Sequence, residues 1–392
     1  MARRISIIGG GIGGLAAALA CSQIGSVIEL FESAKEFTEV GAGVQLGPNV
    51  VKILDDWGLH EALAAVAAFP ERLQVRSASS GQELGALRLG ANTVQRYGAS
   101  YATIHRADLH ALLLAGLNGR DGVQLNLQSE VLAFEQNAKG VSLQCANGRQ
   151  AHADLLLGAD GLWSRVRQTL LRDGAPFATG HLAYRALVAQ SSLPEILRSQ
   201  RITVWLGPQL HVVQYPVQGG EWLNVVAVIE GPMRGDPAYW DHSADVVKLR
   251  SSMAQTCAPL RDLIGAIDQW RLWGLNIRAP MKGPHEFGRG RVALLGDAAH
   301  PMLPYLAQGA GMAIEDAQAL AMALRNDAVA VPDALGNYAK ARWQRNARVQ
   351  ARAIRNGRIF HATGLMRWGR DAAMKLLGER LLDIDWLYRG TS

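Results

Sequence analysis

A glycine-rich segment close to the N-terminus has the spacing of a phosphate-binding turn. Gly9, Gly11 and Gly14 follow a short strand pattern at residues 4–8 and precede strong helix formers at residues 15–21. In a G-x-G-x-x-G pattern the first glycine permits a tight turn, the second lets a pyrophosphate approach the backbone, and the third lets helix and strand pack closely. The helix N-terminus then offers N–H groups and the positive end of its dipole to the phosphates. The order strand, turn, helix predicts a dinucleotide site.

An acidic residue at a suitable distance supports this interpretation. Glu32 ends the alternating run at residues 27–32 and lies 18 residues after Gly14. A carboxylate in this position binds the ribose hydroxyls of a dinucleotide. The alternative is a glycine-rich turn with a solvated Glu32, which the ordered succession of elements disfavours. The pattern does not distinguish NAD from FAD.

An imidazole and a phenol share one face of a later element. Residues 210–215 alternate in the manner of a strand, so His211 and Tyr215 are expected to point to the same side. Both groups can exchange protons with a bound ligand. The alternative is that the pair belongs to the core or the rim of a sheet.

The composition indicates a folded protein with a large core. Of the 392 residues, 49% are hydrophobic and 19% are charged, which excludes a disordered or collagen-like chain. The 42 glycines are an excess, which indicates tight turns or close backbone approach to a ligand. The net charge of +6 suits an anionic ligand without demanding nucleic acid. The length predicts two or three domains, or one large α/β domain with an inserted layer.

Cysteine usage and hydropathy bear on the compartment. Cys21, Cys145 and Cys257 are far apart and have no metal-binding spacing, so we expect no metal site, no disulfide framework and a cytoplasmic location. The run at residues 5–21 superficially resembles a signal peptide, but its five glycines would each cost a helix about 1 kcal/mol relative to alanine. Elsewhere no run reaches about 18 uninterrupted apolar residues, so we expect no membrane span.

The remaining elements indicate a nucleotide-binding domain interrupted by a second sheet. Alternating strands at residues 178–230 predict an antiparallel sheet with Gly219-Gly220 as a hairpin turn. A buried strand at residues 291–295 returns to the parallel type. Helical patterns cover residues 243–270, 312–325 and most of 333–383.

Three separated motifs coincide in this chain. They are the segment 9–14 with Glu32, the Gly-Ala-Asp-Gly turn at residues 158–161, and Gly-Asp-Ala-Ala-His-Pro at residues 296–301. In this order, and over roughly residues 3–330, the chain resembles the single-component FAD-dependent aromatic hydroxylases, the p-hydroxybenzoate hydroxylase-like group. Within that group it is most similar to the salicylate, 3-hydroxybenzoate and 6-hydroxynicotinate hydroxylases.

The resemblance implies FAD as the bound cofactor. Asp297 would accept from the ribityl hydroxyls, Arg106 matches an arginine that contacts FAD, and Asp160 lies in a turn associated with FAD and with nicotinamide-cofactor phosphates. A surface arginine and an ordinary Asp-Gly turn are the alternatives at the last two positions. The helix start at Gly311 would suit an anionic reduced flavin. The residues expected to bind the cofactor are Gly9, Gly11, Gly13, Gly14, Glu32, Arg106, Asp160, Asp297, Ala310 and Gly311.

The reaction implied by the resemblance is an aromatic hydroxylation. NADH or NADPH reduces FAD, the reduced flavin takes up O₂, and a C4a-hydroperoxyflavin transfers one oxygen atom to an electron-rich ring. The chain has one nucleotide fingerprint, as in a family that binds NAD(P)H transiently in a surface groove. The choice between NADH and NADPH stays open.

The implied substrate is a small hydroxylated aromatic acid of the salicylate or hydroxybenzoate type. His211 and Tyr215 resemble pocket residues of the family. We expect His211 to be the hydrogen-bond partner or base for the substrate oxygen, and Tyr215 its proton partner or orienter. Gln45 and Pro301 complete the predicted substrate-binding set. The 6-hydroxynicotinate members have histidine at the position of Gln45, and this difference disfavours a 6-hydroxynicotinate-type substrate. A hydroxylated N-heteroaromatic acid such as 6-hydroxynicotinate is therefore the alternative substrate. Arg185 is either a partner for the substrate carboxylate or a solvent-facing strand arginine.

The predicted fold class is α/β. It combines a Rossmann-like FAD-binding domain, an inserted substrate domain with a mixed or antiparallel sheet, and C-terminal helices. The predicted boundaries are 1–70, 100–175 and 275–335 for the FAD-binding domain, 71–99 and 176–274 for the substrate domain, and 336–392 for the C-terminal helical region.

Two other classes of function are open to test. An FAD-dependent oxidase or reductase of the same fold would insert no oxygen, and the 158–161 turn and the His211/Tyr215 pair disfavour it. A helical stripe of arginines suits a nucleic-acid or membrane-surface binder. Because no aromatic residues interleave with the stripe, we expect a solvated face that attracts small anions and no nucleic-acid partner; a homodimer stays open. The stripe consists of Arg345, Arg348, Arg352 and Arg355.

Overall fold

The computed structural model describes residues 2–37, 42–233, 235–236 and 242–390 of the chain. The strands are β1 (Arg4–Ile8), β2 (Val27–Phe31), β3 (Gly43–Leu46), β4 (Arg72–Ser77), β5 (Glu83–Arg88), β6 (Ala102–His105), β7 (Val123–Asn126), β8 (Val131–Gln136), β9 (Val141–Cys145), β10 (Gln150–Ala153), β11 (Leu155–Gly158), β12 (Phe177–Ala189), β13 (Ile202–Gly207), β14 (Leu210–Val217), β15 (Trp222–Glu230), β16 (His242–Ser243), β17 (Arg271–Ile277), β18 (Gly288–Arg289) and β19 (Val292–Leu294).

The helices are α1 (Ile12–Gln23), α2 (Pro48–Asp56), α3 (His60–Val66), α4 (Ala91–Tyr97), α5 (Arg106–Ala115), α6 (Arg165–Leu171), α7 (Val246–Ser252), α8 (Ala258–Gly265), α9 (Gly309–Leu324), α10 (Val331–Phe360), α11 (Gly364–Leu377), α12 (Glu379–Leu382) and α13 (Asp385–Tyr388). Short 3-10 turns span Gln190–Ser192, Glu195–Leu197, Gln218–Gly220, Pro284–Glu286, Gly296–Ala298 and Pro304–Leu306.

The chain divides into two compact units, each built from three separated segments. The first unit comprises Met1–Val40, Ala107–Pro176 and Ile277–Arg352. The second unit comprises Gly41–Arg106, Phe177–Asn276 and Ala353–Ser392.

A six-stranded sheet organises the first unit. Its order is β18-β19-β11-β1-β2-β7, with β18 antiparallel and the other strands parallel. Ile8 of β1, Gly158 of β11 and Leu294 of β19 are in register. Because parallel strands end at the same edge, the three motifs that follow these strands come together at the carboxyl ends. The sheet therefore explains how motifs about 140 residues apart in sequence come to lie at one edge of the structure.

Helix α1 packs against α9 in the core of this unit. Its residues 14–21 are all buried, and four of them are alanines. Small side chains let a helix lie close to its neighbours, and a helix that is apolar all round belongs in a core. This burial is a structural reason for the strongly apolar run at residues 5–21.

An eight-stranded sheet organises the second unit. Its order is β16-β17-β12-β15-β14-β13-β4-β5, and β12, β15, β14 and β13 pair antiparallel. The 3-10 turn at Gln218–Gly220 joins β14 to β15, which confirms the predicted hairpin at Gly219-Gly220. A separate pair, β3 with β6, lies in the same unit. The α/β class with an antiparallel sheet and C-terminal helices is thus confirmed.

Two predicted helices are interrupted. The pattern at residues 243–270 contains α7 and α8, because Pro259 lies in the first turn of α8 and has no N–H with which to continue an earlier helix. The pattern at residues 333–383 breaks between α10 and α11, where Gly364 has a φ of +53°. Within the described residues, no helix combines the length and the apolarity needed to cross a membrane.

Candidate active site

The turn between β1 and α1 fits only glycine at two positions. Gly9 has a φ of +104°, and a Cβ there would lie 2.4 Å from the carbonyl oxygen of Ala159. A Cβ on Gly14 would lie 1.9 Å from the carbonyl oxygen of Gly9. Within the described chain no side chain caps the N-terminus of α1, so its backbone N–H groups are available to a phosphate. These features fit the pyrophosphate of a dinucleotide such as FAD.

Glu32 is held at this turn by the backbone. Its Oε2 accepts from the N–H of Gly10 at 2.7 Å, and its Oε1 accepts from the N–H of Ala34 at 2.7 Å. His110 lies on the other side, with Nε2 2.7 Å from the carbonyl oxygen of Gly10. Sequence reasoning missed His110, which braces the turn from α5. The role of Glu32 toward a ribose stays a prediction.

Asp160 caps the following helix. Its Oδ2 accepts from the N–H groups of Arg165 at 2.8 Å and Val166 at 3.1 Å, and its Oδ1 accepts from the hydroxyl of Ser164 at 2.6 Å. Burial raises the pKa of Asp160, and these hydrogen bonds oppose the rise. The carboxylate thus shapes the turn after β11. Its contact with a cofactor stays a prediction.

The third motif leads into α9. Asp297 lies in the 3-10 turn at Gly296–Ala298, and α9 begins at Gly309, two residues before the predicted start. Ala310 and Gly311 therefore lie in the first turn of α9, and no side chain among the described residues caps it. Pro301 is buried, and its carbonyl oxygen accepts from Nε2 of Gln350 at 3.2 Å. The helix start has the dipole orientation that favours an anion.

A buried ion cluster fixes α9. Arg342 is fully buried and donates to Asp316 at 2.7 Å and Glu315 at 2.8 Å, while Arg345 donates to Glu315 at 2.7 Å. His300 also bonds Asp316. Burial alone would raise the pKa of Asp316, but His300 and Arg342 outweigh it and lower this pKa to about 2. The expectation of a solvated stripe of arginines is therefore wrong for Arg345, whose guanidinium neutralises an internal carboxylate.

The second unit presents a sheet with two contrasting faces. Side chains directly opposite each other on antiparallel strands project to the same side. One side carries Tyr184, Val212 and Val225 and packs against α7 and α8 in a hydrophobic core. We call the other side of β12, β15 and β14 the polar face. It carries His181, Arg185, His211, Tyr215, Asn224 and Glu230.

Tyr215 is anchored to β3. Its hydroxyl donates to the carbonyl oxygen of Gly43 at 2.6 Å, and the N–H of Gly43 donates to Oδ1 of Asn224 at 2.7 Å. Burial raises the pKa of Tyr215 well above its usual range. The phenol is therefore neutral and held by two neighbouring strands. Sequence reasoning identified Tyr215 but missed Asn224, whose position opposite Tyr215 becomes visible only in the strand register.

Gln45, also on β3, has a phenolic partner. Its Oε1 accepts from the hydroxyl of Tyr101 at 2.8 Å, and both residues are buried. Arg106 begins α5, and its N–H donates to the carbonyl oxygen of Ala42 at 3.1 Å. The roles of Gln45 toward a substrate and of Arg106 toward FAD stay predictions.

His211 forms a buried pair with a residue from α10. Its Nδ1 lies 2.8 Å from Nε2 of His361, and Nδ1 of His361 lies 3.4 Å from Oε1 of Glu230. Burial is the main cause that holds the pKa of His211 well below its usual range, and His361 and His181 add to the effect. Burial likewise lowers the pKa of His361, to about 3, with help from His181 and Arg370. Both rings are therefore neutral, so each offers one donor and one acceptor nitrogen.

Arg185 belongs to the same face. It pairs with Val226 on β15, which pairs with Val213 on β14, so it lies in the row between His211 and Tyr215. Its guanidinium carbon lies 3.5 Å from the ring centre of Trp273, and the residue is 6% exposed. The interpretation of Arg185 as a solvent-facing strand arginine is therefore wrong.

Comparison with known proteins gives consistent relationships. The family model described as FAD binding domain matches residues 3–353. A 3-hydroxybenzoate 6-hydroxylase from Polaromonas naphthalenivorans (strain CJ2) is 37% identical over 98% of this chain and 95% of its own length. The 3-amino-4-hydroxybenzoate 2-monooxygenase PtnB3 from Streptomyces platensis is 38% identical over 98% of this chain and 95% of its own. The crystal structure of Klebsiella pneumoniae HpxO complexed with FAD and uric acid has a TM-score of 0.85, with 26% identity over 97% of this chain and 94% of that one.

Proposed function

Because this chain belongs to the FAD binding domain family and is an FAD-dependent aromatic-ring monooxygenase, we propose that it hydroxylates a small hydroxylated aromatic acid of the hydroxybenzoate type. The observation that carries the proposal is the polar face, on which a neutral buried imidazole, a fixed phenol and a guanidinium lie together. Those groups match the hydroxyl and the carboxylate of such a substrate.

FAD is assigned to the first unit. The glycine turn with Glu32 would hold its pyrophosphate and ribose, and Asp297 and the start of α9 would receive the ribityl chain and the flavin ring. When bound, FAD takes reducing equivalents from NADH or NADPH and activates O₂ for transfer of one oxygen atom to the ring. The aromatic substrate is assigned to the second unit.

We assign His211 as the base that accepts the proton of the substrate hydroxyl. A deprotonated phenol is a better carbon nucleophile because its charge spreads over the ring. With the Nδ1 proton donated to Nε2 of His361, the Nε2 lone pair of His211 becomes the acceptor. His361 in turn donates from Nδ1 toward Glu230. Tyr215 orients the substrate beside His211, with its ring fixed by Gly43.

We assign Arg185 as the residue that binds the substrate carboxylate. Neighbouring strands lie about 4.8 Å apart, so β12 and β14, with β15 between them, are about 10 Å apart. That span is comparable to a hydroxybenzoate together with its two terminal hydrogen bonds. A guanidinium binds a carboxylate in a bidentate manner, and the Trp273 ring packs against the guanidinium of Arg185. Gln45 completes the proposed substrate set of the second unit, and Pro301, in the first unit, stays a predicted substrate residue.

A cytoplasmic location and a homodimeric assembly are further proposals. All three cysteines are free thiols, which suits the reducing cytoplasm. A homodimer is a prediction that the molar mass in solution tests. The choice between NADH and NADPH is left to assay.

A substrate panel tests the proposal. The FAD-loaded protein is mixed with salicylate, 3-hydroxybenzoate, 3-amino-4-hydroxybenzoate and 6-hydroxynicotinate, and the change in flavin absorbance and the consumption of NADH and NADPH are recorded. We expect one or more of the benzoates to perturb the flavin spectrum and stimulate consumption. Stimulation by 6-hydroxynicotinate alone would move the assignment to N-heteroaromatic acids. No stimulation by any compound would contradict the substrate class.

A further inference from the structure

One corner of the polar face gathers two imidazoles and a carboxylate from three elements. His181 on β12 and Glu230 on β15 are directly opposite each other in the antiparallel register. His361 follows the last residue of α10 and stacks on His181, with ring centres 4.7 Å apart and planes inclined by 30°. From these positions we propose that His181, Glu230 and His361 bind a zinc ion.

The donor atoms are already close. One ligand atom from each of the three residues lies within 4.8 Å of the others, and Nδ1 of His361 is 3.4 Å from Oε1 of Glu230. Zinc bonds of about 2.0–2.1 Å in a tetrahedron place ligand atoms about 3.3 Å apart. The Glu230 side chain is 39% exposed, so it has room to adjust toward the two imidazoles. Water would supply the fourth ligand, as in other sites with three protein ligands.

The chemistry of the set suits a divalent transition metal. Two imidazoles with one carboxylate bind zinc in other proteins and also suit Fe(II), whereas Ca²⁺ and Mg²⁺ prefer oxygen ligands. We take zinc as the occupant and as the probe.

Two ligands have outer partners that fix them. His361 uses its other ring nitrogen, Nε2, against Nδ1 of His211 at 2.8 Å. Glu230 uses its other oxygen, Oε2, to accept from Nε2 of Gln209 at 3.2 Å. Such partners fix the orientation of metal ligands and are typical of built metal sites.

Zinc at this corner would change the proton position on His211. With Nδ1 of His361 on the metal, its proton must lie on Nε2, where it is donated to Nδ1 of His211. The proton of His211 then moves to its Nε2, and this nitrogen becomes a donor in place of an acceptor. Zinc should therefore inhibit the hydroxylation without displacing FAD; this consequence rests on the proposed function, whereas zinc binding itself does not.

Calorimetric titration of the FAD-loaded, full-length protein with Zn²⁺ tests the site. We expect one saturable Zn²⁺ per chain, and His181→Asn should weaken it at least about tenfold. The matched control is His152→Asn, an exposed histidine on β10 that bonds Ser142 and should leave the affinity unchanged. A wild-type protein without saturable binding, or an equal affinity in His181→Asn, would overturn the site.

The activity arm separates the two claims. We expect Zn²⁺ to inhibit substrate-stimulated NADH or NADPH consumption of the wild type, and His181→Asn to resist this inhibition when each protein is compared with its own zinc-free rate. Tight binding of zinc without inhibition would overturn the coupling to His211 and leave the metal site standing. If the protein is inactive on every substrate but binds zinc at this site, the proposed function is overturned and the metal site is not.

Discussion

Nδ1 of His211 lies 2.8 Å from Nε2 of His361, although 150 positions separate the two residues in the chain. Both rings are buried and neutral, and when Nδ1 of His361 donates to Glu230, its Nε2 is left to accept the Nδ1 proton of His211. The pair therefore connects the end of α10 to the proposed base on β14. His361 acts through His211 and is a positioning residue.

Removing His361 should slow turnover without removing the cofactor. A positioned base contributes about 10²–10⁴-fold to a rate, and we expect His361→Phe to lose at least about tenfold of kcat because His211 loses the acceptor for its Nδ1 proton. His361→Gln retains a carbonyl acceptor and should recover part of the loss. The measurements are kcat, KM and bound flavin. Equal kcat values for the wild type and His361→Phe would refute this positioning role.

A methyl group on Gly43 should displace Tyr215. A Cβ on Gly43 would lie 2.5 Å from Cε2 of Tyr215 and 3.1 Å from Cβ of Asn224. We expect Gly43→Ala to retain FAD but to lower kcat/KM by about 10–100-fold, because small misplacements of orienting groups are costly. Gly265→Ala is the control, since a Cβ there meets no atom of the described chain within 4 Å. Unchanged kinetics in Gly43→Ala would remove Tyr215 from the proposed role.

The glycine turn should fail to bind FAD when its third glycine is enlarged. A Cβ on Gly14 overlaps the carbonyl oxygen of Gly9 at 1.9 Å, whereas one on Gly13 would lie 3.1 Å from Cδ1 of Leu295. We expect Gly14→Ala to lose bound flavin and Gly13→Ala to show a smaller loss, with the flavin-to-protein absorbance ratio as the measurement. Gly336→Ala in α10 is the control. A full flavin complement in Gly14→Ala would contradict the assignment of the turn.

Arg342 should carry a large share of the stability of the first unit. Its removal leaves the buried carboxylates of Glu315 and Asp316 without a fully buried cation. Breaking a buried pair from one side costs about 3–5 kcal/mol, and we expect Arg342→Met to lower the free energy of unfolding in urea by that amount. The exposed Arg348→Met should change it by less than about 0.5 kcal/mol. Equal effects of the two variants would show that the cluster is not a stabilising one.

The nucleotide-binding side was predictable because its motifs are local. The glycine turn, Glu32 and the residues after β11 and β19 each lie next to a strand, and parallel pairing brings strand ends together. The residue types therefore specified both the elements and their convergence. Helix ends were less predictable, since Pro259 and Gly364 interrupt patterns that are otherwise helical.

The partners of the proposed catalytic side chains were not predictable. His361 reaches His211 only through the folding of α10, and Asn224 meets Tyr215 only through the strand register. Arg345 was expected to be solvated because its helix is rich in arginine, yet two acids in the apolar α9 are paired with it and with the buried Arg342. The pair Glu315-Asp316 was the available signal, because carboxylates are almost never fully buried without a partner.

The central claim is that one oxygen atom from O₂ is inserted into a substrate held and deprotonated on the polar face, and isotope labelling tests it most directly. The FAD-loaded protein is incubated with NADH or NADPH, ¹⁸O₂ and the benzoate that stimulates consumption, and the product is analysed by mass spectrometry. We expect one ¹⁸O atom in each hydroxylated product, and a product formation rate about 10²–10⁴-fold lower in His211→Asn with its FAD content unchanged. Nucleotide consumption that yields no labelled product, or labelled product formed equally fast by His211→Asn, would contradict the account.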